Sequence, residues 1–254
     1  MAEERDHEQA ARVATETGQL LVEVRSKLFS LGLGSWRIGD EGDRRAHDFI
    51  VDELSAAFPD DAILSEEGRD DRTRLQNKRV WIVDPLDGTR EFGEYGRTDW
   101  AVHIALTENG RATAGAVALP DLETTLSTHD PPQLPERAEG PPRLVVSRNH
   151  PAAAAVIVAR ALGGQLLALG SAGAKMGAVV LGHADIYAHS GGQFEWDNCA
   201  PAIVAEAAGL HVSRCDGSPM RFNYPDPWSP EFVFCRQEFA EETMDALAAA
   251  IRQR

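Results

Sequence analysis

Lysine is almost missing from this chain: Lys27, Lys78 and Lys175 are the only three, and 40 Asp and Glu against 25 Lys and Arg leave a formal charge of −15. A surface this acidic repels the phosphates of nucleic acid and of anionic lipid, which argues against non-specific binding of either. Cysteine is scarce too. Cys199, Cys215 and Cys235 are odd in number and lack CxxC spacing, so neither a disulfide framework nor a zinc knuckle is expected, and a reducing cytoplasm fits best. No stretch reaches the roughly 18 uncharged apolar residues of a membrane span, and the N-terminus carries acids where a secretion signal needs basic residues before an apolar run. The expectation is a soluble, intracellular protein without nucleic-acid or membrane partners. The five tryptophans are scattered and suggest no stacking platform. What remains is ordinary: 254 residues, 43% of them hydrophobic, make one large domain or two small ones at roughly 150 residues per domain.

Val13, Thr17, Leu20, Leu21, Val24 and Leu28 recur at helical spacing and predict a helix over 4–31, ended by Gly32 and Gly34. Gly39-Asp40-Glu41-Gly42-Asp43 reads as an acidic turn before a second helix, whose apolar repeat begins at Ala46 and stops ahead of Pro59. Short apolar runs follow at 62–64 and 80–83, then a hairpin from 100–106 and 112–119 around Glu108-Asn109-Gly110. Residues 129–142, rich in proline and charge, have no periodicity and predict a linker. Beyond it strands (143–147, 165–169, 184–188, 210–213, 231–235) alternate with helices (151–162, 171–181, 197–208 and from 238). The fold class expected is α/β, with an α+β first half (1–140) and an α/β second half (141–254).

Chemistry concentrates where the apolar run 80–83 enters Asp84-Pro85-Leu86-Asp87-Gly88-Thr89, because strand ends are where α/β proteins place ligands. Asp-Gly alone also reads as a hairpin turn. Ser65-Glu66-Glu67 again follows an apolar run, and Glu195-Trp196-Asp197 opens a helix. Singly, each acid would be a cap or a solvated loop residue. Together in one pocket they would repel one another and raise their pKa values unless cations intervened. With no His or Cys among them, the donors suit hard divalent ions such as magnesium. Gly88 and Thr89 would then offer amides and a hydroxyl to an anion. The charge run from Glu66 to Arg74 reads as a solvated loop, and His47, His103, His183 and His211 as surface or satisfied core residues.

These motifs, with Ala200-Pro201 and Glu206-Ala207-Ala208-Gly209 after Asp197, resemble the inositol monophosphatase superfamily of magnesium-dependent phosphatases over nearly the whole chain. The resemblance implies a layered αβαβα sandwich of the sugar-phosphatase type, with Glu66, Asp84, Asp87, Asp197 and the Leu86 carbonyl as ligands to two or three Mg2+. Pro85, lacking an N–H, breaks the ladder and frees that carbonyl. It further implies Asp43, Thr89, Glu66 and Asp87 as catalytic groups in the in-line attack of a metal-activated water on a phosphate monoester, with Asp40 as the alternative to Asp43. Arg90-Glu91-Phe92 and Val146-Ser147-Arg148-Asn149-His150 are similar to the 3′(2′),5′-bisphosphate nucleotidase branch. That branch removes the 3′-phosphate of 3′-phosphoadenosine 5′-phosphate, giving AMP, with the 5′-phosphosulfate as a further substrate. Substrate contacts are then expected from Gly88, Thr89, Arg90, Ser147, His150, Ser171, Lys175 and Asp197. His150 reads equally as the start of a helix, and three residues separate Ser171 from Lys175 where relatives have two. His189 stands where relatives often carry Arg. An inositol monophosphatase or a broad phosphatase acting also on fructose 1,6-bisphosphate therefore stays open, as does a non-catalytic nucleotide sensor. Relatives are commonly homodimers. No GxGxxG follows a first strand, which removes a dinucleotide-binding dehydrogenase.

Overall fold

The computed structural model describes residues 1–251. Two long helices open the chain, α1 (Glu4–Ser30) and α2 (Ser35–Ala57), followed by β1 (Ala62–Ser65), β2 (Arg79–Asp87), the short helix α3 (Thr89–Gly93), β3 (Ala101–Glu108), β4 (Arg111–Leu119) and β5 (Thr124–Ser127). After an irregular crossing at 128–142 come β6 (Arg143–Ser147), α4 (Ala153–Leu162), β7 (Gln165–Leu169), α5 (Ala172–Val180), β8 (Ile186–His189), β9 (Gln193–Phe194) and α6 (Glu195–Ala207). β10 (His211–Ser213), β11 (Trp228–Ser229), β12 (Phe232–Cys235) and α7 (Ala240–Ile251) complete it.

The first sheet has the order β1-β2-β3-β4-β5, with β1 parallel to β2 and the rest antiparallel, and the second has the order β10-β12-β8-β6-β7. Strand alternation builds the layers. Trp81 and Val83 of β2 pack with Val13, Leu21, Ile38 and Ile50 of α1 and α2, while Val80 and Ile82 face Met176 and Val179 of α5 and Ala200 and Val204 of α6. The other side of that middle helical layer meets Val145, Tyr187, Phe232 and Phe234 of the second sheet. The sheet's far face, Leu144, Val146, Ile186 and Val233, is covered by Val158 of α4 and Leu247 of α7. The result is the expected αβαβα sandwich, in which β2 is hydrophobic on both faces because both are buried.

The expected acidic turn at Gly39–Asp43 is instead part of α2, which starts at Ser35, well ahead of the apolar repeat from Ala46. Its glycines are there for close approach: a Cβ on Gly39 would lie 2.6 Å from Thr89 Cγ2, and one on Gly42 would lie 2.6 Å from Phe92 Cε1. β5 is short and polar, and gave no strand signal. The loop after Glu66 is not wholly solvated either, since buried Arg74 donates to Asp70, to Asn223 Oδ1 and to the Tyr224 carbonyl.

Arg25 of α1 fixes α3. Its guanidinium, almost enclosed, donates to the carbonyls of Glu91, Phe92, Glu94 and Arg97 and pairs with Asp121 at 2.6 Å. Arg25→Ala strands those acceptors and is expected to cost about 3–5 kcal/mol, measured as a lowered urea midpoint with unchanged slope.

Candidate active site

β1, β2, α2, α3 and the start of α6 bring the acids together. β2 pairs regularly with β3 up to Asp84, opposite His103, and again at Asp87, opposite Ala101, with an irregularity between. Pro85 and Leu86 fall in that gap, as expected of a residue without a ladder donor. The Leu86 amide turns back to Asp84 Oδ1 at 3.1 Å, and the Leu86 carbonyl accepts from Thr89 Oγ1 at 3.2 Å. Gly88 then caps α3 at φ +92°, a left-handed backbone that favours glycine. A Cβ there would also crowd Ser171 Cβ at 3.1 Å. The Asp-Gly pair is thus a strand-to-helix corner rather than a hairpin.

Carboxylate oxygens of Asp84, Asp87 and Asp197 all lie within 4.8 Å of one another. Asp84 Oδ2 is buried without a hydrogen-bond partner, a costly state for an anion unless a cation meets it. Burial and the charges of Glu66, Asp87 and Asp197 push the Asp84 carboxyl well above the usual range. Glu66 stands at the rim, pushed up to about 7 by loss of solvent around its carboxyl and by Asp197. Asp197 in the first turn of α6 is pushed up to about 6 by burial and by Asp87, while it accepts from the Phe194 amide at 2.6 Å. Asp87 goes the other way. Its burial is outweighed by His103, Lys175 and Ser171, which hold its carboxyl below the ordinary value. An all-oxygen set with an orphaned buried carboxylate oxygen fits a hard divalent cation, and the Leu86 carbonyl lies in the same turn.

Asp43 is buried and meets Thr89 Oγ1 through Oδ1 at 3.4 Å, whereas Asp40 is exposed one turn earlier. Of the two sequence candidates, Asp43 is the one brought to Thr89. Burial and then Glu67 and Glu66 raise its carboxyl to about 8, the signature of an acid that holds its proton until charge is supplied nearby. A cavity of about 500 Å³ opens here, walled by Asp40, Asp43, Glu67, Thr89 and Arg90. Exposed Trp36 also lines it, one helical turn before Asp40, where sequence reading saw only a scattered tryptophan.

The substrate-side residues lie at several depths. Ser147 ends β6, and His150 is exposed in the loop before α4, not within the helix. Arg148 between them is turned to Glu91 and Glu94 at 2.8 and 3.0 Å. Ser171 caps α5 and donates to Asp87 Oδ2 at 2.5 Å. Lys175 is 3% exposed and folds its amine back onto the carbonyls of Gly170 and Ser171, over the Tyr187 ring. In this conformation its amine is therefore taken up by contacts within the fold. His189 stacks on Phe232, and burial lowers it to about 4, so it carries no charge. Trp196 stacks on Phe194 at 4.8 Å beside Asp197. His103, to which sequence analysis gave no role, is fully buried against Asp87. The available signal was its place, a polar residue in the apolar run Ala101–Ala105.

A five-layer αβαβα sandwich carrying a buried carboxylate cluster at a strand-to-helix corner defines a divalent-cation site between two sheets. The inositol monophosphatase family model matches residues 4–254, and the chain belongs to that family. It is 47% identical over 252 residues (94% of this chain, 92% of the relative) to a protein of Mycobacterium leprae named 3′-phosphoadenosine 5′-phosphate phosphatase. Identity is 34% over 192 residues (71% and 77%) to the 3′(2′),5′-bisphosphate nucleotidase CysQ of Escherichia coli. Among solved structures it resembles CysQ of Bacteroides thetaiotaomicron, a bacterial member of the inositol monophosphatase family, with a TM-score of 0.79 at 24% identity, covering 92% of this chain and 98% of that one. Among the described residues no helix is long and apolar enough to cross a membrane.

Proposed function

We propose that this protein is a magnesium-dependent phosphomonoesterase that removes the 3′-phosphate of 3′-phosphoadenosine 5′-phosphate, yielding AMP and phosphate, and acts likewise on the 5′-phosphosulfate. The observation that carries the substrate is the 47% identity, across 94% of the chain, to a relative named for that reaction. The chemistry rests on the site. Glu66, Asp84, Asp87, Asp197 and the Leu86 carbonyl would hold two or three Mg2+. When bound, such ions supply Lewis acidity, making water more acidic and offsetting charge on the phosphoryl oxygens. The Thr89 hydroxyl has one proton and two acceptors in reach, Asp43 Oδ1 and the Leu86 carbonyl. Donating to Asp43 leaves its lone pairs to orient a water; as the water gives its proton to the Thr89 oxygen, the Thr89 proton moves to the Asp43 carboxylate, the general base of the relay. The Gly88 and Thr89 amides face the phosphoryl group at the start of α3.

In this reading residues 1–140 supply the hydrolytic groups, and residues 141–254 supply Asp197 and the leaving-group contacts from Ser147, His150 and Ser171, with Lys175 adding positive potential. Arg90 lines the cavity at its exposed edge. A cytoplasmic setting accords with three buried free thiols. The test is phosphate release with Mg2+ from 3′-phosphoadenosine 5′-phosphate, inositol 1-phosphate and fructose 1,6-bisphosphate. Expected is a preference for the nucleotide of more than about a hundredfold in kcat/KM, near 2.8 kcal/mol. Equal rates on all three would replace it by a broad phosphatase, and no release by a nucleotide sensor. The complete set of Asp43, Glu66, Asp84, Asp87, Thr89 and Asp197 favours the enzyme.

A further inference from the structure

His103 sits early in β3, wholly enclosed, where the two halves of the acidic cluster meet. Its Nδ1 is 3.0 Å from the carbonyl of Trp196, the residue before Asp197, and its Nε2 is 3.2 Å from Asp87 Oδ2. The Trp196 carbonyl can only accept, so Nδ1 donates to it, while Nε2 lies against the Asp87 carboxylate. The Nε2 approach is off-axis and makes no aligned hydrogen bond, a buried polar atom held against a carboxylate of the cluster. Asp87 Oδ2 also receives the Ser171 hydroxyl at 2.5 Å and the Gly173 amide at 2.7 Å. With two hydrogen bonds on Oδ2 and the His103 ring held beside it, it is Oδ1 that stays available to a cation. The packing is built for the imidazole: a Cβ on Gly173 would collide with His103 Nε2 and lie 2.8 Å from Ala101 Cβ.

We propose that His103 is a positioning residue of the metal centre, spanning from Asp87 on the first sheet to the Trp196 peptide of α6 and so setting the spacing between the Asp87 and Asp197 carboxylates. The inference rests on the divalent-metal reading of the site. His103 touches no reacting atom and acts through the two carboxylates whose relative placement it holds. A residue of this kind governs how tightly the ion is held, because ligands already oriented lose less freedom on binding.

The experiment titrates the full-length protein with Mg2+ alone by calorimetry, with no substrate, for wild type, His103→Phe, His103→Gln and His103→Asn. Circular dichroism and thermal melts of the metal-free forms accompany each. His103→Phe is expected to weaken Mg2+ about ten- to hundredfold. His103→Gln, which restores a donor toward Asp87, and His103→Asn, which restores one toward Trp196, are each expected to recover part of the loss. In activity assays the half-activating Mg2+ concentration rises while KM at saturating Mg2+ stays near wild type. A histidine that merely filled space would lower the melting temperature and leave the Mg2+ constant where it was. Wild-type Mg2+ affinity in a folded His103→Phe overturns the inference. If that variant does not fold, wild-type affinity in both amide variants overturns it. Absence of Mg2+ binding to the wild type overturns the metal reading itself, a separate result.

Discussion

Asp84→Asn is expected to abolish phosphate release, by at least about a thousandfold in kcat or about 4 kcal/mol, and at the same time to raise the melting temperature of the metal-free protein. The two effects share one cause. Asp84 is buried, its Oδ2 has no donor, and Glu66, Asp87 and Asp197 crowd it with like charge. An amide of the same shape removes the repulsion and can donate to the neighbouring carboxylates, a gain of about 1 kcal/mol or 2–4 °C for a chain near this size. A melt followed with and without Mg2+ reads both. Wild type gains stability from the ion, whereas the Asp84→Asn variant starts higher and gains little. Retained activity in that variant, or a stability below that of metal-free wild type, would contradict the placement of Asp84 at the cation.

The second large effect is a reversal of the usual pH trend in the metal-free protein. Asp43, Glu66 and Asp197 are raised to about 8, 7 and 6, so between their ordinary values near 4 and these folded values the native chain binds more protons than the unfolded one. Stability supplied by those protons is complete below about pH 4 and is lost as the pH climbs through 6 to 8. Asp87 has the opposite sign. Its carboxyl is held low, so its share is present at neutral pH and lost as the pH falls through its depressed value. Over pH 5–8 the share of Asp87 is constant, and His189, lowered to about 4, adds stability only up to about pH 6.5, whereas Asp43, Glu66, Asp84, Asp197 and Glu195 are all raised, so the melting temperature of the chelator-treated protein should fall. Saturating Mg2+ requires the ionised carboxylates, so the stabilisation it gives should grow with pH over the same window. Calorimetry in buffers of different ionisation enthalpy should show protons released on binding. A melting temperature that rises with pH in the absence of metal would show that the cluster is less enclosed than its geometry indicates.

Much of the site was legible because its chemistry is local in sequence. Asp84, Pro85, Leu86, Asp87, Gly88 and Thr89 form one strand-to-helix corner, whose shape is set by contacts within the corner itself. What escaped depends on contacts across the fold. Gly39 and Gly42 read as a turn because glycine disfavours helix when nothing packs on it, yet here the space above them is taken by Thr89 and Phe92. His103 follows the two-residue period that turns Ala101 and Ala105 toward the middle layer, but no pattern along β3 announces that Trp196 lies 93 positions ahead. Arg74 looked solvated because six of the eight residues before it, at 66–73, are Asp, Glu or Arg, and its partners Asn223 and Tyr224 lie in another part of the chain.

The close seating of α2 on α3 has a further consequence. Asp43 and Thr89 belong to different elements, and their 3.4 Å separation is determined by how near two helical backbones can come once no methyl stands between them. That distance is therefore a property of the hydrophobic interior, maintained by Ile38, Phe92 and Leu86 rather than by any polar residue at the surface. Sequence drift in those apolar positions would change the gauge between the Asp43 carboxyl and the Thr89 hydroxyl, so the interior of this protein sets the tolerance of a polar contact it never touches.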